Sequence, residues 1–203
     1  MRRAGLALLV GCALAGCGRR ASPGADSLRG KRVVMVVAHQ DFRDEELREP
    51  KAVLEARGAA VTVASSALAP AHGMLGMTVT PGASLDDLNA GDYDAVVFVG
   101  GVGAAEYWSD LRARALAKQA VEGGKLLAAI SQGTVILVRA GVLKLKRVTA
   151  WPTEIGTLRR RGGIYTGADV QVDDRLITAN GPQAARAFGE ALADVLAQPI
   201  PQR

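Results

Sequence analysis

The chain is poor in the residues that most often carry chemistry. Its 203 residues include two cysteines, two histidines, two tryptophans, three tyrosines and three phenylalanines. Both cysteines, Cys12 and Cys17, lie in or directly after the apolar stretch 4–16, so residues 18–203 contain no thiol. Over that length, disulfides, cysteine nucleophiles and thiolate metal sites are excluded. With only His39 and His72 to add, no tight nitrogen–sulfur metal site is expected, and no cofactor motif is present. The net charge of +5 is moderate, and the basic residues are scattered apart from Arg159-Arg160-Arg161, with no aromatics between them. Nucleic acid is therefore not an expected partner. Repeats and low-complexity segments are also missing.

What is present begins with a leader. Arg2 and Arg3 precede "AGLALLVGCALAG" (4–16), an apolar run too short to span a bilayer stably. It closes on "LAGC" (14–17), which resembles a bacterial lipobox and implies cleavage before Cys17 and lipidation of that cysteine. Residues 1–16 then form a signal peptide, and 17–30 the lipidated cysteine with a flexible tether. About 13 residues of such coil reach on the order of 20 Å. Gly18 follows the cysteine where aspartate would signal inner-membrane retention, so the expected location is the outer membrane, facing the periplasm.

From Lys31 onward, strand and helix patterns alternate. "RVVMVVA" (32–38), "AAVTVAS" (59–65), "YDAVVFVGG" (93–101) and "GKLLAAIS" (124–131) read as buried strands. Helices are expected over 42–58, with a kink or restart at Pro50, and over 104–122, 133–140 and 183–197. The stretch 73–88 has strand character, 147–151 reads as a further strand, and 169–179 as a hairpin turning at Asp173-Asp174. The alternation predicts one α/β domain over 31–198, a mostly parallel sheet between two helical layers.

In such sheets, sites form beyond the carboxyl ends of the strands. The first strand ends in His39-Gln40-Asp41 and an acidic run, Asp44-Glu45-Glu46; the third ends in Gly100-Gly101; the fourth breaks at Ser131. Ala129 and Gly133, two positions either side of Ser131, supply the small neighbours that a strained nucleophile elbow needs.

These features resemble the PfpI family, which includes intracellular proteases and the parkinsonism-associated deglycase and has a flavodoxin-like fold. The resemblance rests on "DFRDEELREP", "DYDAVVFVGGVGAAEYW", "AAISQGTVILVRAGVLKLKRVTAW" and "IYTGADVQVDDRLITANGP". It implies that Glu46, four residues before Pro50, faces the elbow. It also implies that the backbone amides of Gly101 and Gln132 form an oxyanion site, and that Glu106 is the acid that protease-like members supply across a homodimer interface. The family nucleophile is cysteine, followed in protease-like members by histidine; here Ser131 and Gln132 stand in their places.

Two functions follow as expectations. In one, a lipid-anchored domain keeps the pocket of Glu46, Gly101, Ser131 and Gln132 for a small ligand or partner and has lost catalysis. In the other, Ser131 acts as a hydrolytic nucleophile on an acyl, amide or peptide substrate, with His39 and Glu46 completing a triad. A hydroxyl needs such a base because, unlike a thiol, it is negligibly ionised at neutral pH. Equally, His39 can be a rim residue, His72 a solvated one, and 44–46 the charged first turn of a helix.

Overall fold

Short apolar runs place the parallel strands, and polar or glycine-bearing segments place everything between them. The computed structural model describes residues 27–199. In chain order the elements are β1 (Arg32–Val36), β2 (Gln40–Phe42), α1 (Asp44–Ala56), β3 (Ala60–Ser65), β4 (Ala71–Gly73), β5 (Thr78–Val79), β6 (Ala83–Ser84) and β7 (Ala95–Phe98). They continue as α2 (Leu111–Glu122), β8 (Leu126–Ile130), α3 (Thr134–Ala140), β9 (Arg147–Val148), α4 (Ile155–Arg160), β10 (Ile164–Tyr165), β11 (Val170–Asp173), β12 (Leu176–Ala179) and α5 (Ala185–Leu196).

The main sheet has the order β11-β12-β8-β7-β1-β3-β6. Every pairing in it is parallel except the β11–β12 hairpin at its edge, which turns through Asp174 at φ +56°. β7 and β8 are buried along their whole length, as strands covered on both faces must be. Helices flank the sheet in two packed pairs, α1 with α5 and α2 with α3. This is the expected α/β flavodoxin-like sandwich. The chain runs outward from β1 to β3 and β6 and then returns to the other side of β1 as β7, so the order reverses between β1 and β7. A crevice at the carboxyl ends of the strands follows from that reversal.

Four local expectations differ from what is observed. α1 runs unbroken through Pro50, which is buried against α5: a Cβ on Gly189 would lie 2.6 Å from the Pro50 Cα. Proline removes one helical hydrogen bond, and close packing against a neighbouring helix offsets that loss. The expected helix 104–122 is instead a 3-10 stretch, Val102–Tyr107, followed by α2, whose start is fixed by the Asp110 side chain accepting from the Ala113 amide at 2.8 Å. The 147–151 strand contributes only β9, which pairs with β10 apart from the main sheet. The signal peptide, Cys17 and most of the expected tether lie outside the described residues, but the tether's last residues are docked. Leu28 is fully buried, and its amide donates to the Arg57 carbonyl at 2.8 Å. An apolar side chain of that size gains on the order of 2 kcal/mol from burial, which with the backbone hydrogen bond helps offset the entropy of ordering the chain there.

Candidate active site

β8 delivers Ile130 to the end of the sheet, and the chain turns at Ser131 with φ +57°. A side chain in the left-handed region costs about 1–2 kcal/mol, so the surrounding packing imposes this conformation. The turn leaves Ser131 4% exposed at the start of a 3-10 turn, Ser131–Gly133, that leads into α3. The Trp108 indole donates to the Gln132 carbonyl at 3.3 Å and fixes the Gln132–Gly133 peptide of that turn.

Glu46 comes from the first turn of α1 and is 1% exposed. Its Oε2 accepts from the Gly100 amide at 3.0 Å, while Oε1 is buried without a hydrogen-bond partner. Burial pushes the Glu46 carboxyl up to about 8; the Ser131 hydroxyl, the Gly100 amide and the Arg43 charge oppose that shift and do not cancel it. Ser131 thus stands close enough to favour the charged form, yet it does not give Oε1 a bond of proper geometry. At neutral pH Glu46 is predominantly a carboxylic acid with a proton to donate.

Gly100 and Gly101 close the other side. A Cβ on Gly100 would lie 2.5 Å from Glu46 Oε2 and 2.8 Å from the Ser131 Cβ. Gly101 has φ +99° and no backbone partner for its amide. The Gln132 amide lies in the first turn of a helical segment, where no intrahelical acceptor exists. Gly101, Gln132, Ser131 and Glu46 line one cleft of about 390 Å³, together with Arg43, Met74, Val102, Trp151 and Pro182. Two backbone amides without backbone partners, the serine hydroxyl and a buried acid thus border one small, largely apolar cleft.

Two charged groups shape that mouth. Arg43 makes a two-pronged ion pair with Glu45, Nε to Oε2 at 2.8 Å and Nη2 to Oε1 at 3.1 Å. Buried Asp44 accepts from the amides of Leu75 and Met77 at 2.9 and 2.7 Å and thereby pins the loop that carries Met74. None of Arg43, Met74, Trp151 or Pro182 was singled out by the sequence, and Asp44 was noted only as part of the acidic run 44–46. Arg43 and Asp44 sit inside the "DFRDEELREP" motif, which was the available signal; the others come from segments with no motif of their own.

His39 is not brought to the serine. Its amide donates to both oxygens of Glu106, at 3.4 and 3.3 Å, and its carbonyl accepts from the His72 amide at 3.0 Å. The His39 Nδ1 is buried without a partner, and no hydrogen bond joins its ring to Ser131 or Glu46. The reason is β2, which leaves β1 to pair with β4 and carries His39 towards the small sheet. Glu106, exposed in the 3-10 stretch, meets the His39 backbone and does not line the cleft. His72 is exposed, as expected, and its Nδ1 lies 3.3 Å from the Thr78 hydroxyl. Among the described residues, no three histidine, cysteine or acidic side chains are grouped to hold a metal ion, and no helix is long and apolar enough to cross a membrane.

Comparison with known proteins gives this geometry a context. The profile of the DJ-1/PfpI family matches residues 31–195. An uncharacterized protein of Methanocaldococcus jannaschii is 41% identical over 167 residues, 81% of this chain and 82% of that protein. A deglycase of Thermococcus kodakarensis is 30% identical over 149 residues, 73% of this chain and 90% of that enzyme. The crystal structure of a ThiJ/PfpI domain protein from Brachyspira murdochii superposes with a TM-score of 0.80 at 33% identity, covering 82% of this chain and 98% of that one.

Proposed function

The chain belongs to the DJ-1/PfpI family, and from that premise we propose that it is a lipid-anchored cell-envelope domain whose Ser131 cleft binds a small carbonyl- or carboxyl-bearing ligand without turning it over. Relatives carry the names deglycase, glyoxalase and cysteine protease, and in this reading Ser131 occupies the place of the thiol on which such activities depend. No cysteine lies beyond position 17 to replace it. The observation that carries the reading is Glu46, which holds its own proton up to about pH 8 beside a serine that no imidazole reaches. A group already protonated cannot take the serine proton, but it can donate to a ligand oxygen alongside the amides of Gly101 and Gln132.

The strained elbow favours a second reading, a serine hydrolase that operates once Glu46 ionises. A fluorophosphonate probe on the full chain, read by intact mass at pH 7 and pH 9, separates the two. The binding reading expects no adduct at either pH. An adduct mapped to Ser131 and absent from Ser131→Ala would establish the hydrolase.

The anchor is supported by "LAGC" and the basic, apolar leader before it. Mass spectrometry of the mature N-terminus should find diacylglycerol on Cys17, lost in Cys17→Ser, in the outer-membrane fraction. A homodimer is part of the same proposal, with light scattering as its test.

A further inference from the structure

A second cleft lies at the opposite end of the sheet, about 490 Å³ in volume, where β8 and β12 begin and not where they end. Lys125 and Ser131 flank the two ends of β8; six steps at roughly 3.3 Å each place them about 20 Å apart. The cleft is lined by Lys125, Lys146, Asp173, Asp174 and Arg175 over an apolar floor that includes Val142. Nothing in the reading of the Ser131 site uses it.

Three cations face two carboxylates here, and the pairing is incomplete. Lys146 Nζ contacts Asp173 Oδ1 at 3.3 Å, and the other oxygen of Asp173 accepts from the Arg147 amide at 2.7 Å. The amide of Arg147, with help from Lys146, holds the Asp173 carboxyl below its usual range, so it is charged and fully engaged by its neighbours. Lys125 Nζ donates its one hydrogen bond to the Gly91 carbonyl, at 3.1 Å, and its charge also helps hold the Asp94 carboxyl below its usual range. Asp174 occupies the tip of the hairpin, exposed, at φ +56°. Arg175 is the telling residue: its Nε is shielded from water and has no acceptor. A buried N–H left unpaired costs about 1–3 kcal/mol, more when it carries charge. The rest of the guanidinium, on a half-exposed side chain that lines the cleft, makes no hydrogen bond or ion pair among the described residues and is the part that an acceptor in the cleft can meet.

We propose that this cleft is an anion site for a phosphate group, accepting from the Arg175 guanidinium and from the unused ammonium protons of Lys125 and Lys146. The planar guanidinium suits a tetrahedral oxyanion because it presents several donors to more than one oxygen at once. The two lysines add charge from the α2–β8 connection and from the segment before β9, so three separate stretches of chain converge on one ligand. The phosphate can arrive free in solution or as the headgroup of an anionic phospholipid, and the chemistry of recognition is the same for both.

The test starts with calorimetric titration of inorganic phosphate into the full chain carrying Cys17→Ser, in phosphate-free buffer at fixed ionic strength. Saturable one-to-one binding is expected, weakened at least fivefold in Arg175→Gln and in Lys125→Gln and left unchanged in Lys51→Gln, which removes the same charge from the far side of α1. Lys125→Gln alters a half-exposed side chain, so it reports even if Arg175→Gln fails to fold. Heat no different from that of sodium chloride, or equal affinity in all variants, would overturn the proposal. Co-sedimentation with phosphatidylglycerol and phosphatidylcholine vesicles then assigns the source. Pelleting with phosphatidylglycerol that Arg175→Gln abolishes identifies a headgroup, and its absence alongside phosphate binding identifies the free ion. Neither readout depends on a ligand at Ser131, so failure here leaves that reading standing.

Discussion

The Gly100 amide and the Glu46 carboxyl are locked to each other: the amide donates to Oε2 at 3.0 Å, and a Cβ on Gly100 would fall 2.5 Å from that same oxygen. Only glycine lets the strand end approach the acid closely enough to bind it. Gly100→Ala should therefore force Glu46 aside and destabilise the fold by about 1–3 kcal/mol through overpacking. A urea denaturation midpoint, compared with wild type at pH 6, measures it; an unchanged midpoint would mean that the acid and the Ile130 carbonyl, 2.7 Å from the added Cβ, both yield without cost.

Glu46 should also imprint a pH dependence on stability. Its carboxyl lies near the ordinary value when unfolded and is raised to about 8 when folded, so the native state binds the extra proton between those limits. Stability is then greatest below about pH 4.5 as far as this group is concerned, and declines as pH rises towards 8 with a slope of up to about 1.4 kcal/mol per unit. Glu46→Gln, neutral at every pH, should flatten that decline. Parallel slopes in wild type and variant would show that Glu46 is not the titrating group.

Ser131 is expected to sacrifice stability for its position. Glycine tolerates φ +57° without the Cβ clash, so Ser131→Gly should raise the melting temperature in spite of the lost side chain, by an amount equivalent to about 1 kcal/mol. Ser131→Val, branched at Cβ, should lower it by more. Differential scanning calorimetry of the three proteins gives the order.

Asp44 is predicted to govern the loop over the cleft. Asp44→Ala would leave the amides of Leu75 and Met77 without their acceptor, at a cost on the order of 2–3 kcal/mol. Hydrogen exchange should speed up at those two amides first, with little change in β7 and β8. Uniform loss of protection would instead mean that the whole fold depends on Asp44.

Much of this fold could be read from one chain because its central strands are plain apolar runs. "RVVMV", "AVVF" and "LLAAI" have no other stable place than a sheet covered on both faces, and the abrupt polar break at Ser131 marks an elbow. That Glu46 faces the elbow was implied by the resemblance carried in the motif around Pro50; its bond to the Gly100 amide was not. What escaped depended on tertiary context. Pro50 reads as a helix breaker until Gly189 is seen packed against it. Residues 102–110 have helical composition, but their 3-10 course is set by contacts with Gln40 and Gln132, remote in sequence. His39 looks poised for catalysis because it directly follows the apolar run 32–38; the detour of β2 to β4, only three residues long each, carries it elsewhere and leaves no trace in periodicity.

The contact between Pro50 and Gly189 also gives the cleft a keystone remote from its own lining. Glu46 lies one helical turn before Pro50, and α1 is braced by α5. A Cβ at position 189 would fall 2.6 Å from the Pro50 Cα and push α1, with its acid, away from the sheet. The final helix contributes no side chain to the cleft and still sets how deep its acid sits.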